Sequence, residues 1–447
     1  MTKSKQTIGF WSASAIGVGG MVGGGIFAVL GLAVQLSRGG APLAFALAGV
    51  VAMLTAYSYA KLSVTYPSQG GTVEFLNQAF GSGVLAGSAN VLLWISYVVM
   101  LSLYAHAFGC YGASFFSGPW HELWKHLLIS APIVLLTALN AAGAAVVGKA
   151  EEWIVGLKVL ILLFFVGVGM FSVQPASLAP DAWSGPLELL AGGMIIFLAF
   201  EGFELIANTA GDVRNAAKTL PRAFYASVGF VIVLYVVVAA VTVGNLSVDR
   251  IVEAKDYALA AAARPFLGHF GFVLIAVAAL LSTASAINAT LYGAARVSFI
   301  IAKDGELPEF LEDKVWRKPL VGLILTAVLT LVTANLFDLS SISVMGSAGF
   351  LLIFAGVNMA NLVLREVTGA RWWLAGLGAL ACLGALGALL WQRATTDPTE
   401  LWVLVGMVAL AVMVEVIYRA GTHRQIKSSM TADSCDDARE PGASNQV

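Results

Sequence analysis

Long apolar runs alternate with short polar punctuation along almost the whole chain. Apolar stretches of about 20 residues, the length that crosses a bilayer core, are centred on 8–36, 42–65, 83–116, 127–147, 150–172, 187–209, 221–243, 269–301, 319–335, 339–364, 372–391 and 399–419. The pattern predicts an all-α polytopic membrane protein of about 12 transmembrane helices. The third and eighth stretches exceed what one bilayer needs, which predicts tilt or an interfacial extension. Only the segment from Gly421 to Val447 is both sizeable and polar; rich in Ser, Asp and Gly, it reads as a disordered tail.

Composition agrees with this reading: 59% of residues are hydrophobic and 11% charged, with a mean hydropathy of +0.84, against roughly 25% charged in a soluble domain. A net charge of -1 offers no basic face for nucleic acid. Charge placement is more informative. With the N-terminus inside, inner loops and ends hold 16 of the 25 Lys and Arg residues and outer loops 6, a bias that predicts both termini in the cytoplasm. The start, "MTKSKQTIGFW", lacks a small-residue cleavage site and reads as the approach to the first span. Cys110, Cys382 and Cys435 show neither disulfide nor metal-ligand spacing, and the five histidines are scattered. His121 and His126 share an outer connection but have no third ligand in sequence, so no metal site and no cofactor is expected.

Seven glycines fall between Gly17 and Gly31. Pairs such as Gly19 with Gly23 fit close helix packing, but Gly23, Gly24 and Gly25 are consecutive and cannot all face one partner. Consecutive glycines favour a break, which would expose N–H groups at the start of the next half-helix and create an anion site. Non-helical backbone is tolerated at this depth only in a cavity or within protein. A transporter built from inverted repeats places a second break five spans later. The sixth stretch supplies "GGMIIFLAFEGFELIANTAGDVRN", with Gly202 interrupting the run between Glu201 and Glu204. Glu201 lies roughly 21 Å beyond Leu187 by helix rise, inside the membrane, where an ionisable group is a candidate functional residue. Pairing with another span, for stability alone, is the alternative.

In the fifth stretch, Lys158 lies about 13 to 14 Å deeper than Lys149 by helix rise, too deep to snorkel comfortably. A lysine buried there can take up and give back a proton; pairing with Glu151 or a carbonyl is the structural alternative.

These residues carry a family resemblance. "GVGGMVGGGIF" resembles the first-helix signature of the amino acid-polyamine-organocation superfamily, close to G-x-x-x-G-S-G-I-F. "YPSQGGTVEFLNQAFG" is similar to its P-x-x-G-G-x-x-x-x-L turn, and "FLAFEGFELIANTAGDVRNAAKTLPRA" to its sixth helix and following loop. In the latter, Ala216 replaces a frequent proline, and Gly211 and Asp212 occupy a commonly acidic pair. "STASAINATLYGAARVSFIIAKDGELPEF" looks like the eighth helix and its A-x-D-G-x-L-P extension. Together these cover most of residues 8–318 in the family's order and spacing.

The resemblance implies a five-plus-five inverted repeat (LeuT-like) with discontinuous first and sixth helices. It implies a transport core over 1-366, two peripheral helices over 367-419 and a cytoplasmic tail over 420-447. By position, the substrate carboxylate would meet Gly23, Gly24, Gly25 and Ile26. The amino group would meet carbonyls near Ala15 to Gly19 and Phe197 to Phe200, in a site also formed by Ala199, Glu201 and Gly202. Phe200 is a candidate aromatic gate or a packing residue. Some proton-coupled members place a lysine like Lys158 where sodium-coupled relatives hold sodium, and Ser282 and Ser285, three apart on the eighth span, could line the same spot.

Trp11, Trp120, Trp124, Trp372 and Trp373 lie near span ends, as in interfacial belts. No nucleophile motif or ATP phosphate loop is present, which argues against an enzyme or primary pump. The expected function is proton-coupled secondary transport of an amino acid, in a plasma (inner) membrane, with protons and lipid as the other partners. An exchanger or exporter of amino acids or polyamines, or a non-transporting nutrient sensor, is the alternative. Glu201 suits a cationic substrate and the surrounding Phe, Leu and Ile a neutral one, and the sequence carries no signal for oligomeric state.

Overall fold

The computed structural model describes residues 7–81, 83–116, 118–142, 147–303 and 320–422, with only the backbone course for 147–152, 303 and 421–422. The polar tail, the "DGELPEF" segment after the eighth stretch and the Lys149 and Glu151 side chains lie outside the described residues. Helices carry the architecture, as a lipid solvent requires, because a helix satisfies its backbone polar groups internally. Among the described residues no strand occurs, only two isolated bridges, Ile8 with Val213 and Arg38 with Trp183.

In chain order, helix 1 is a bent pair, 1a (Phe10–Met21) and 1b (Gly25–Ser37), meeting at 45°. Helices 2 (Ala41–Thr65), 3 (Val84–Ala113), 4 (His121–Ala142) and 5 (Val147–Gly169) follow. Helix 6 runs over Pro186–Asp212 and helix 7 over Ala216–Asn245. Helix 8 spans Ala258–Lys303, helix 9 Leu320–Leu336 and helix 10 Leu339–Val363. Helices 11 (Trp372–Thr396) and 12 (Pro398–Thr422) complete the set. Among the described residues, ten helices are long and apolar enough to cross a membrane, and the bent pair makes an eleventh. Helix 9, with 17 described residues, is a shorter apolar helix beside them. The long third stretch is one 30-residue helix. The eighth stretch likewise lies in one helical run after Gly268; helix 8 extends back to Ala258 across that residue, whose φ of 64° marks a kink between two helices.

Helix 1a packs on helices 6 and 7, and helix 6 on helix 2; helix 2 also packs along helix 7, and helix 3 along helix 8. Helix 3 further contacts helices 9 and 10, while helix 8 contacts helices 4 and 5. Helix 6 is the centre, with 89% of its apolar window buried, whereas helix 4 has 17%. Leu123, Leu127, Val134 and Leu135 of helix 4 point outward, as lipid contact requires. Polar side chains join helix 2 to helix 10: Ser58 donates to Asn358 at 2.7 Å, and Asn361 donates to Ser58 at 3.1 Å. Helices 11 and 12 pack outside helices 10 and 3.

Asp338 starts helix 10, accepting from the Ser340 and Ser341 backbone N–H groups and the Ser341 hydroxyl. Burial pushes its carboxyl up, but these hydrogen bonds outweigh that and hold it below the usual carboxylate range. A carboxyl depressed in the folded state contributes stability above its unfolded pKa and loses it as pH falls through the lower folded value. Asp338→Ala is therefore expected to cost about 1 kcal/mol near neutral pH, read as a lower Tm in detergent. An unchanged Tm would show that the cap contributes nothing.

Candidate functional site

Helix 1 breaks where the glycines are consecutive. The last regular bond of 1a runs from Val22 N to Val18 O at 2.8 Å, and the first of 1b from Ala28 N to Gly24 O at 2.9 Å. The N–H groups of Gly25, Ile26 and Phe27 therefore begin helix 1b without acceptors inside it. Gly23 N turns back to Gly20 O at 3.3 Å, which releases the Gly19 carbonyl. The carbonyls of Ala15 to Val18 remain within the regular turns of 1a, so the acceptors opened by the break lie later, from Gly19 to Gly23.

Each glycine of the run sits against a different neighbour. A Cβ on Gly23 would lie 2.8 Å from Ala286, one on Gly24 2.3 Å from the Tyr104 ring, and one on Gly25 2.6 Å from the Ala199 Cα. Helices 8, 3 and 6 thus converge on the break, and both readings of the glycines hold: they break the helix and they allow close approach.

Helix 6 departs from α geometry at Ile196, after its α-helical part Pro186–Ile195; Phe197–Asp212 continues in tighter 3-10 turns. The change comes six residues before Gly202. Gly202 instead marks the crossing with helix 1a, where a Cβ would stand 2.2 Å from the Gly20 carbonyl carbon and 2.4 Å from Met21 N. Phe197, Ala199, Phe200, Glu201 and Ile26 are all at most 3% exposed, so this conformation is closed around the break. Phe200 packs on Tyr235, ring centroids 5.1 Å apart, and Phe197 on Phe354 at 5.8 Å.

Lys158 is 1% exposed and donates to Gly19 O at 2.9 Å, the carbonyl freed by the break. Ser282 donates to Val22 O at 2.6 Å and also contacts Gly23 O. It reaches across to helix 1, contrary to the usual tendency of such hydroxyls to bond their own helix. Ser285 lies one turn further along, 8% exposed. A lysine from helix 5 and a serine from helix 8 thus meet the end of helix 1a.

Sequence reasoning missed Tyr235 of helix 7. Its hydroxyl donates to Met21 O at 2.6 Å, lies 3.4 Å from Ala199 O and takes the Ile26 N–H, so one group touches both halves of helix 1 and the turn of helix 6. Tyr104 and Thr283, both against Gly24, were missed too. A tyrosine in a long apolar run was the only available signal, and it does not distinguish a site from a core.

Glu201 and Glu204 face the opposite side of the crossing. Glu204 accepts from Tyr97 and, at 3.1 Å, from Tyr59, while Thr72 lies 2.7 Å from the Tyr59 hydroxyl. The Glu201 carboxyl lies beside that of Glu204. The cluster joins helices 2, 3 and 6 to the short helix Thr72–Phe80. That helix follows Gly71, whose φ of +49° only glycine adopts readily, and a Cβ there would meet Asn208 of helix 6 at 2.1 Å. Glu204→Leu would strand buried hydroxyls at about 1–3 kcal/mol for each group left unsatisfied. It is expected to lower Tm in detergent well below that of Glu204→Gln, which keeps an acceptor; equal melting of the two variants would remove the cluster's structural role.

The ends of helices 1 and 6 are also tied. Thr7 N and Ile8 N donate to Asp212 O at 3.1 and 3.2 Å, and Arg214 N donates to Ile8 O at 2.9 Å.

A family model described as amino acid permease matches residues 8–414. An uncharacterized protein of Methanocaldococcus jannaschii is 35% identical over 97% of this chain and 100% of its own length. The inner membrane transport protein YbaT of Escherichia coli is 32% identical over 93% of this chain and 96% of its own. The branched-chain amino acid permease BcaP of Bacillus subtilis is 25% identical over 90% and 92% respectively.

Proposed function

Because the chain belongs to the amino acid permease family and is a membrane transporter, we propose that it accumulates an amino acid by secondary, proton-coupled transport. Alternating access occurs around the paired irregularities of helices 1 and 6. The observation that carries this reading is the Lys158 ammonium on the carbonyl that the helix 1 break releases, because it links a proton-exchanging group to the geometry of the substrate-binding backbone.

The helix contacts support a five-plus-five repeat. Exchanging helices 1 to 5 with helices 6 to 10 in order turns the contact of helices 1 and 7 into that of 6 and 2, that of 3 and 10 into that of 8 and 5, and that of 3 and 9 into that of 8 and 4. The pairs 1 with 6, 2 with 7, 3 with 8 and 4 with 9 map onto themselves. On this reading residues 1–366 form the core and helices 11 and 12 a peripheral pair. Both termini face the cytoplasm, and the chain resides in the plasma (inner) membrane, as the name of the Escherichia coli relative says of that protein.

The substrate carboxylate binds the N–H groups of Gly25, Ile26 and Phe27, that of Ile26 being now engaged by Tyr235, where the helix dipole favours negative charge. The ammonium takes the carbonyls of Met21 and Ala199, now engaged by Tyr235, so substrate entry displaces that hydroxyl and loosens the join between the half-helices. Phe200, packed on Tyr235, closes the pocket. Loss of the Lys158 proton weakens its hold on Gly19 and frees helix 1a to swing, which couples proton release to opening.

The test is accumulation in proteoliposomes of a labelled panel of amino acids and amines, without sodium, with and without an inward proton gradient. Accumulation of a panel amino acid only under the gradient is expected. Exchange in counter-loaded vesicles with no response to the gradient would overturn proton coupling, and neither uptake nor exchange of any panel member would overturn the amino acid reading.

A further inference from the structure

At the end of the bundle away from Thr7, helices 3 and 4, the turn Lys255–Tyr257 and the connection from helix 9 to helix 10 line an open cavity of about 280 Å³. His106 and Cys110 are four apart on helix 3 and project from one face, toward Asp256 of the turn. The Cys110 Sγ lies 3.5 Å from Asp256 Oδ2, and the donor atoms of all three residues lie within 4.8 Å of one another. His106 is 5% exposed, and its Nδ1 is buried without a hydrogen-bond partner, while the Ala334 backbone lies within reach of the ring. A buried acceptor left unmade costs about 1–3 kcal/mol, so this nitrogen points to a ligand.

Imidazole, thiol and carboxylate form a donor set suited to zinc. At zinc bond lengths of about 2.0–2.3 Å, the edge of a tetrahedron is about 3.5 Å, the present separation of the thiol and carboxylate. The remaining separations, at most 4.8 Å, would close toward that edge, and the cavity leaves the fourth position to water. The Ala334 contact matches the outer hydrogen bond that orients a ligating histidine. Lys125, 4.0 Å from the Asp256 carboxylate, opposes a cation, but a thiolate and a carboxylate supply two negative charges against it.

We propose that His106, Cys110 and Asp256 bind one divalent transition-metal ion of zinc's class, clamping the turn Lys255–Tyr257 to helix 3. Binding releases the Cys110 proton to solvent. The turn packs on helix 1b so closely that a Cβ on Gly31 would stand 2.1 Å from the Lys255 carbonyl oxygen. Fixing the turn therefore holds this end of helix 1b shut and slows transport.

The test uses full-length protein carrying Cys435→Ser, which removes the tail thiol. Titrated in detergent with cobalt(II), it is expected to show one equivalent of binding with a thiolate-to-cobalt charge-transfer band that Cys110→Ser abolishes. By calorimetry, His106→Gln and Asp256→Asn should bind zinc more weakly by at least the ~10-fold that an outer partner alone is worth, and Lys125→Gln more tightly. Zinc should slow transport in proteoliposomes only where Cys110 is present, and Cys110→Ser should transport normally without metal. Absence of the band, equal zinc affinity in Cys110→Ser, or no tightening in Lys125→Gln would overturn the site. Saturating zinc with unchanged transport would overturn the clamp.

Discussion

Lys158→Ala is expected to abolish accumulation driven by a proton gradient while leaving substrate binding measurable. The substitution removes the donor to Gly19 O at 2.9 Å and with it the group that carries the proton. Lys158→Arg separates the two roles. Arginine can still donate to the carbonyl but does not lose its proton in any working range, so a residue needed only to cap helix 1a would tolerate it. Under the coupling mechanism both variants reduce the accumulation ratio to passive equilibration, and both lose the pH dependence of uptake. Gradient-driven accumulation that persists in Lys158→Ala, with an unchanged pH profile, would refute the role of this lysine.

Gly202→Ala is the second substitution with a large expected effect. The added methyl would stand 2.2 Å from the Gly20 carbonyl carbon and 2.4 Å from Met21 N, and backbone cannot rotate aside as a side chain does. Helices 1a and 6 must part, and overpacking of this kind costs about 1–3 kcal/mol or more. Because the break in helix 1 begins next to the crossing, the displacement passes directly to Met21 and the Tyr235 contact. Transport is expected to fall at least tenfold, the factor that about 1.4 kcal/mol represents, with a lower Tm. Gly156→Ala, on an exposed face of helix 5 with nothing within 4 Å of the added methyl, serves as the silent control. If Gly202→Ala transports at the rate of that control, the close crossing is not required.

The site was legible in part. Gly23, Gly24 and Gly25 announced themselves because three consecutive glycines have no use in an ordinary span, and Lys158 because a charge that deep needs a partner. The partner was not legible: Gly19 O becomes available only because Gly23 turns back to Gly20, a consequence of the break's local geometry. Helix 6 was placed correctly as the second irregular element, yet its departure comes at Ile196, where no glycine marks it. Gly202 was read as an interruption and serves as a point of approach to Gly20. Both uses need a residue without a side chain, so residue type alone cannot tell them apart.

His106, Cys110 and Asp256 illustrate the same limit. Cys110 and Asp256 lie 146 positions apart, and no spacing rule spans that distance, whereas His121 and His126, close in sequence, each bond elsewhere, to Phe116 O and to Asn335.

By itself the sequence determined the solvent, the class of fold and nearly all of the membrane segments, because burial in lipid demands long apolar helices and composition records that demand directly. It also marked helix 1 as a broken helix, since three consecutive glycines inside a span are costly unless used. Tertiary structure alone decided the partners: Tyr235 at both half-helices, Ser282 on Val22, Glu204 among Tyr59, Tyr97 and Thr72. The physical reason is that apolar patterning fixes that a helix lies in the membrane but, with lipid as apolar as the core, says little about which face meets which neighbour. That choice is made by close backbone approach and by hydrogen bonds between residues far apart in the chain.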